Sequence, residues 1–212
     1  MAHVTGMKRS AVQMRGMGSP ESGARLSRRA AALACAAFLA WVAAWMPWGA
    51  RAAEDGESLE LRVKAAFLYK FAGYVEWPTK AFARPETPVT IGVIGAESLA
   101  TELAQAVTGR TVNDRQVTVK RLKAGESLAG IHILFVGRAE SARLDQLAQS
   151  AQPRSILTVT ESDGALERGS VINFVLSGGR VRFEIALDSA EKSGLKLSSR
   201  LLAVAQQVTG TP

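Results

Sequence analysis

Residues 89–122 read VTIGVIGAESLATELAQAVTGRTVNDRQVTVKRL, and this stretch decides the fold. It opens with a β-branched run, residues 89–95, which is typical of a buried parallel strand. Apolar residues then recur at helical spacing over 96–107, and a second β-branched run follows at 117–122. A strand, a helix and another strand at this spacing predict a parallel pair with the helix on one face.

The same alternation continues towards the C-terminus. The pattern predicts a short helical turn at 126–128, a third strand at 131–136, a helix at 139–149 and a fourth strand at 156–160. We therefore expect an α/β fold in a single domain, with a central, mostly parallel sheet flanked by helices.

The last third of the chain predicts a C-terminal β-hairpin. Two alternating runs, 170–176 and 180–187, flank Gly178-Gly179, which favours a two-residue turn. This turn pairs Ile172 with Ile185, Phe174 with Phe183 and Leu176 with Val181 on one apolar face, which must be buried. The other face carries Asn173 opposite Glu184 and Val175 opposite Arg182. A helix beginning near Ser198 or Ser199 ends the domain, and residues 209–212 are expected to be a loose tail.

Residues 58–76, SLELRVKAAFLYKFAGYVE, predict a helix that is apolar on two faces. One stripe comprises Leu61, Ala65, Leu68, Ala72 and Val75, and the other comprises Val63, Phe67, Phe71 and Tyr74. Ser58 is the expected N-cap, Glu60 and Lys64 form a favourable i,i+4 pair, and Trp77-Pro78 ends the helix.

Two groups of side chains are candidates for binding. The first is the aromatic set on this helix, Phe67, Tyr69, Phe71 and Tyr74, because these rings cannot all face one core. The alternative is that both stripes pack inside the domain or in a homodimer. The second group is the polar hairpin face, with Asn173, Arg182 and Glu184, for which solvated cross-strand partners are the alternative.

The front of the chain has the pattern of an export signal. Arg25, Arg28 and Arg29 precede the uncharged residues 30–50, and Ala50-Arg51-Ala52 supplies small residues at a cleavage site. We predict cleavage between Ala52 and Ala53, which makes residues 1–52 a signal peptide and 53–208 the domain of a periplasmic protein. An uncleaved anchor or a lipoprotein processed at Cys35 are the alternatives.

Charge and composition exclude several classes of function. Hydrophobic residues make up 47% and charged residues 21% of the 212 residues, which excludes wholesale disorder. The formal net charge of +7 comes mostly from residues 1–52, so the remainder has no strongly basic surface for nucleic acid. Cys35 is the only cysteine, and the processed protein would have no thiol and no disulfide.

The sequence contains no recognisable set of catalytic residues. The strand at 89–95 is not followed by the order G-x-G-x-x-G, and no G-x-x-x-x-G-K-[ST] loop occurs. His132 is the only histidine after the leader, and its place in a strand favours a hydrogen-bonded core residue. Glu161, Asp163 and Glu167 are interpreted as a solvated loop. We therefore predict a protein that is not an enzyme and has no cofactor and no metal site.

Several blocks of the sequence together resemble a known family. KAAFLYKFA at 64–72, running on to VEWP at 75–78, is similar to the opening signature of the YfiR family of periplasmic regulators. Further similar blocks are 89–95, 109–122, 132–140, 156–164 and 169–202, the last with INFVL, RVRFEI and GLKLSSRLL. The resemblance covers nearly all of residues 58–208.

This resemblance implies a non-enzymatic repressor. Such proteins bind the periplasmic part of an inner-membrane diguanylate cyclase and hold it inactive, which lowers cyclic di-GMP and biofilm formation. The resemblance also implies an α/β fold, a frequent homodimer and an outer-membrane lipoprotein that sequesters the repressor. Redox control through disulfides is not implied here, because the processed chain has no cysteine. A periplasmic small-ligand sensor, with its site at the carboxyl ends of the strands, is the alternative function, and a hydrolase with an unrecognised site is a third.

Overall fold

The structure is a computed structural model that describes residues 49–210. Residues 1–48 of the predicted signal peptide lie outside this part, as does the end of the predicted tail. Among the described residues, no helix is both long and apolar enough to cross a membrane.

The first helix is followed by alternating strands and helices. The elements are α1 (Gly49–Tyr74), β1 (Val75–Glu76), β2 (Val89–Ile94), α2 (Glu97–Val107), β3 (Thr111–Val112), β4 (Arg115–Leu122), β5 (Ile133–Val136), α3 (Leu144–Ala151), β6 (Leu157–Thr160), β7 (Ile172–Ser177), β8 (Arg180–Ala186), α4 (Leu187–Lys192), β9 (Lys196–Leu197), α5 (Ser199–Val204) and β10 (Gln207–Thr209). Short 3₁₀ turns occur at Thr79–Ala81, Arg138–Arg143 and Gln152–Arg154.

Eight strands form the central sheet in the order β3-β4-β2-β5-β6-β7-β8-β10. The five strands from β4 to β7 in this order run parallel, which confirms the predicted mostly parallel sheet. β8 returns antiparallel to β7 in the predicted register, with Phe174 opposite Phe183 and Asn173 opposite Glu184. Gly178 and Gly179 adopt φ values of +58° and +71°, the left-handed conformations that a type I′ turn requires.

The sheet is buried on both faces. On one face, α1 and α2 supply Leu68, Phe71 and Leu103 to a core that includes Phe135 and Phe183. On the other face, Leu144 and Leu147 of α3 join a smaller core with strand residues such as Leu134. Helices therefore flank the sheet on both sides, as the alternating sequence pattern predicts.

The ends of α1 differ from the prediction. Ser58 lies inside the helix and is not its N-cap. At the other end, the predicted helix included Val75 and Glu76, but these two residues form β1. They pair antiparallel with β9, so their backbone groups have sheet partners and not helical ones. The predicted ion pair is present, with 2.5 Å between Lys64 Nζ and Glu60 Oε1.

Three other local predictions were wrong. The segment 126–128 is not helical: glycines with positive φ, Gly125 and Gly130, flank it, and the backbone N–H of Lys123 donates to the Glu126 carboxylate. The helix predicted at 139–149 is a 3₁₀ turn followed by α3. Thr209 is not in a loose tail, because β10 pairs parallel with the edge of β8.

The apolar hairpin face is buried for only part of its length. Ile172 and Phe174 are buried, but Leu176 near the turn is 54% exposed. The predicted full burial of this face therefore fails at the tip of the hairpin, where neighbouring elements no longer cover it.

Candidate functional site

The tip of the β7–β8 hairpin projects beyond the rest of the sheet. β6 pairs with β7 only at Ile172 and Asn173, and β10 pairs with β8 only from Glu184 onwards. Residues 174–183 therefore have neither neighbouring strand beside them. The N-terminal half of α1 faces this part of the hairpin, and an open groove of about 600 Å³ lies between the two.

The groove has an apolar lining. Its residues include Leu59, Val63 and Phe67 from α1 and Leu176 and Val181 from the hairpin. Leu59 is 61% exposed and Leu176 is 54% exposed, although both are large aliphatic side chains. Single exposed leucines are common, but apolar side chains gathered in one concave site are typical of a binding surface.

Two arginines of β8 lie at the hairpin edge of the groove, at positions that alternate with Val181 and Phe183. Arg180 and Arg182 line the groove and are both exposed. Neither forms an ion pair with a carboxylate of residues 56–210, whose side chains the structure describes. The groove therefore suits a molecule that presents apolar side chains together with a negative charge.

The four aromatic residues singled out on α1 do not form one surface. Phe67 is half-buried and lines the groove. Phe71 is 1% exposed, so no partner of the folded domain can contact its ring. Tyr69 packs under the Arg110 guanidinium and donates its hydroxyl hydrogen to the Thr111 carbonyl. Tyr74 is half-buried against the larger core.

The polar residues of the hairpin also have separate roles. Asn173 is 4% exposed, and its Oδ1 accepts hydrogen bonds from the Thr160 hydroxyl at 2.8 Å and the Ser162 backbone N–H at 3.1 Å. This side chain therefore joins β6 to β7 and does not face solvent. Glu184 is half-buried beside β10, and only Arg182 of the three reaches the groove.

His132 is a hydrogen-bonded core residue, as predicted. Its Nδ1 accepts from the Thr90 backbone N–H at 3.1 Å, which leaves Nε2 as the protonated nitrogen that donates to the Ala81 carbonyl at 3.2 Å. The ring stacks on Phe82, and the Arg115 guanidinium covers the same phenylalanine. Burial, and the charge of Arg115 to a smaller extent, lower the pKa of His132, so the neutral ring is the form that fits.

A buried lysine is the polar feature that the sequence reasoning missed. Lys64 is 4% exposed, and its Nζ lies 2.5 Å from both Glu60 Oε1 and Glu161 Oε2. Glu161, interpreted from sequence as part of a solvated loop, is thus an ion-pair partner of α1. The available signal was the position of Lys64, one turn before Phe67 and two turns before Phe71, which places a charge on a buried face.

A second, polar cavity of about 330 Å³ lies at the carboxyl ends of β5 and β6. Arg138, Ser141, Glu161, Ser162 and Asp163 line it. Within residues 56–210, whose side chains the structure describes, no group of three or more His, Cys, Asp or Glu side chains is placed to hold a metal ion.

The fold and the groove define a small α/β domain with an open apolar site. A family model described as YfiR/HmsC-like matches residues 61–206, and the chain belongs to this family. The YfiR-like family is periplasmic, regulatory and non-enzymatic.

Two solved structures have a partly similar fold. One is a conserved domain protein from Vibrio cholerae O1 biovar El Tor str. N16961, with 14% identity, a TM-score of 0.46, and coverage of 57% of this chain and 54% of that one. The other is the ABC domain in complex with L-Trp from Streptococcus pneumonia, with 12% identity, a TM-score of 0.46, and coverage of 57% and 55%. This chain thus spans about half the length of the structures that it matches.

Proposed function

We propose that the protein binds the periplasmic part of an inner-membrane diguanylate cyclase and inhibits it, which lowers cyclic di-GMP signalling and biofilm formation. Membership of the YfiR/HmsC-like family over residues 61–206 supports this function. The observation that carries the binding surface is the apolar groove between α1 and the hairpin. In this proposal the protein inhibits by binding alone: the inactive state of the cyclase fits the groove better than the active state does.

The groove is the partner surface in this proposal. Leu59 and Leu176 expose apolar area that a partner would remove from water, at about 25 cal/mol per Å². Arg180 and Arg182 would face carboxylates of the partner and set its orientation. A preference of about 1.4 kcal/mol for the inactive cyclase already changes the ratio of its two states tenfold.

Deletion of the gene tests the function. We expect cyclic di-GMP to rise in the deletion strain and to fall again when the wild-type gene is restored. Restoring Leu176→Glu should leave cyclic di-GMP high, because a carboxylate in the groove opposes an apolar, acidic partner. Val204→Glu is the matched control, since Val204 is 59% exposed but does not line the groove.

Two results would contradict the proposal. Unchanged cyclic di-GMP in the deletion strain, with a cyclase of this type expressed, would exclude the regulatory function. Full repression by Leu176→Glu at wild-type protein level would exclude the groove as the surface that contacts the cyclase.

A periplasmic small-ligand sensor is the second candidate. The polar cavity at the carboxyl ends of β5 and β6 favours it, because ligands of open α/β sheets bind at this edge. Native mass spectrometry of the protein from the periplasm would detect a bound metabolite. Capture from solubilised membranes would instead recover an integral membrane partner.

The remaining partners belong to the same proposal. An outer-membrane lipoprotein would sequester the protein from the cyclase, and a homodimer would cover part of its apolar surface. Both are detectable by crosslinking in cells, with the lipoprotein and a second copy giving products of different mass.

A further inference from the structure

We propose that Lys64 is a positioning residue for the groove: its ammonium, held between Glu60 and Glu161, fixes the helical wall of the groove relative to the hairpin wall. The inference rests on the proposed function, since it assigns importance to the same groove. It concerns a residue for which the sequence pattern predicted only an i,i+4 pair with Glu60.

Lys64 marks the point at which α1 leaves the core. On its C-terminal side, Ala65, Leu68 and Phe71 are each 0–1% exposed. On its N-terminal side, every residue from 56 to 63 is half-buried or exposed. Lys64 is therefore the first buried residue of α1 within residues 56–74, and of the apolar side chains before it Leu61 packs against the larger core.

The carboxylate that receives Lys64 belongs to a well-connected strand end. The Arg138 Nε donates to the Glu161 carbonyl at 3.2 Å, and the Arg138 backbone N–H donates to Glu161 Oε1 at 3.4 Å. The next residue, Ser162, donates its backbone N–H to Asn173 of β7. Glu161 is thus linked to the ends of β5, β6 and β7, and through it Lys64 ties α1 to the sheet that carries the hairpin.

Apart from Phe67, which packs against Phe174 and Phe183 of the hairpin, few contacts hold the helical wall in place. Arg62 and Glu102 lie 3.7 Å apart, but the arginine side chain is 66% exposed, and such surface pairs contribute little. Leu61 and Val63 are only half-buried. The buried ion pair of Lys64 and Glu161 restricts the orientation of the helix, because each charge must keep its partner at a site with little water.

Glu60 connects this ion cluster to the groove directly. It lines the groove and also binds Lys64, whereas Glu161 lines the polar cavity at the strand ends. One ammonium therefore lies between the groove and the polar cavity, and a shift of Lys64 changes the wall of the groove.

A double variant, Lys64→Met with Glu161→Leu, tests the role by removing the ammonium together with its partner on the sheet; Glu60 loses its partner too, but its side chain is 27% exposed and stays hydrated. Replacement of a buried ion pair by apolar residues is often neutral for stability, so we expect the midpoint of thermal unfolding to change little. The groove should nevertheless widen. Spin labels on Leu59→Cys and Leu176→Cys report this distance by pulsed electron resonance, because the processed chain has no other cysteine.

We expect a narrow distance distribution in the parent protein and a broader one, shifted to longer distance, in the double variant. Amide hydrogen exchange over residues 59–63 should accelerate about tenfold, while exchange over 68–74 is unchanged. Glu161→Gln is the second variant, and it should change both measurements in the same direction if the double variant does not fold. Arg62→Met is the matched control, and it should change neither measurement.

An unchanged distance distribution together with unchanged exchange over residues 59–63 would overturn the proposal. These measurements use the isolated protein, so their failure leaves the regulatory function standing. Unchanged cyclic di-GMP on deletion of the gene would instead remove the function and leave the role of Lys64 intact.

Discussion

Four phenylalanine rings determine how the first helix meets the hairpin. The ring centroids of Phe71 and Phe183 lie 5.2 Å apart at 75°, and those of Phe71 and Phe174 lie 5.9 Å apart. Phe67 continues the cluster outwards and ends at the groove. Edge-to-face contacts of this kind add stability beyond the buried area. A single aromatic cluster thus extends from the buried core to the groove that is proposed as the binding surface.

Phe183→Ala should destabilise the domain by about 3–5 kcal/mol, because it leaves a cavity in the aromatic cluster. Leu176→Ala, on the same face of the hairpin, should change stability by less than about 0.5 kcal/mol, since Leu176 is mostly exposed. Urea unfolding of the two variants measures the difference. Equal effects would mean that the hairpin face is not buried as described.

His132 should make stability depend on pH. Its folded pKa is lowered from the usual 6.5 by burial, so the unfolded chain binds a proton more readily. Stability is therefore fully present above about pH 6.5 and falls as the pH drops towards the folded pKa, by at most about 1.4 kcal/mol per pH unit. Unfolding curves between about pH 5 and 6.5 measure the slope. His132→Asn retains an acceptor for the Thr90 N–H, and a slope that persists in this variant would refute the assignment.

At the scale of elements, periodicity and turn chemistry predicted most of the sheet. The hairpin register followed from Gly178-Gly179, and the parallel strands followed from their β-branched runs. β1, β9 and β10 have only two or three residues each, and such short strands exist because partners distant in the chain supply their hydrogen bonds. The pair of Lys64 and Glu161 was missed for the same reason, since the two residues are far apart in the chain.

The junction between β2 and β5 should not tolerate a side chain at Gly137. A Cβ atom there would overlap the Gly95 carbonyl oxygen, and the Gly137 backbone N–H donates to the Ile94 carbonyl at 2.9 Å. Gly137→Ala should therefore destabilise the domain by at least about 1–3 kcal/mol, as overpacking does. Gly56→Ala is the control: it has open space in α1, and alanine there should be neutral or stabilising by up to about 1 kcal/mol. Similar unfolding midpoints for the two variants would contradict this close approach.

For the molecule as a whole, noncovalent interactions must supply the stability of the fold, because disulfides cannot. The processed chain would contain no cysteine, so both cores and their hydrogen bonds alone hold the domain together.

Thermal unfolding should accordingly be independent of redox state. We expect the same midpoint with and without a reductant, because no disulfide closes a loop in the unfolded chain. A clear fall in the midpoint on reduction would show that Cys35 is retained and forms a bond between two chains.

The protein isolated from the periplasm should begin at Ala53. The basic residues, the uncharged stretch 30–50 and the small residues around Arg51 motivate this site. N-terminal sequencing measures it directly. An intact segment 25–50 on the isolated protein would support a membrane anchor instead.

The contact between the first helix and the hairpin also dictates when the chain folds. Phe71 emerges from a ribosome or a translocation channel roughly 100 residues before Phe174 and Phe183, the rings that cover it. Until then Phe71 lacks two of the rings that cover it, so the core around the first helix is completed only after nearly the whole chain has emerged. Chains truncated before β8 should consequently be substrates for chaperones and proteases, even though most of the parallel sheet is already present.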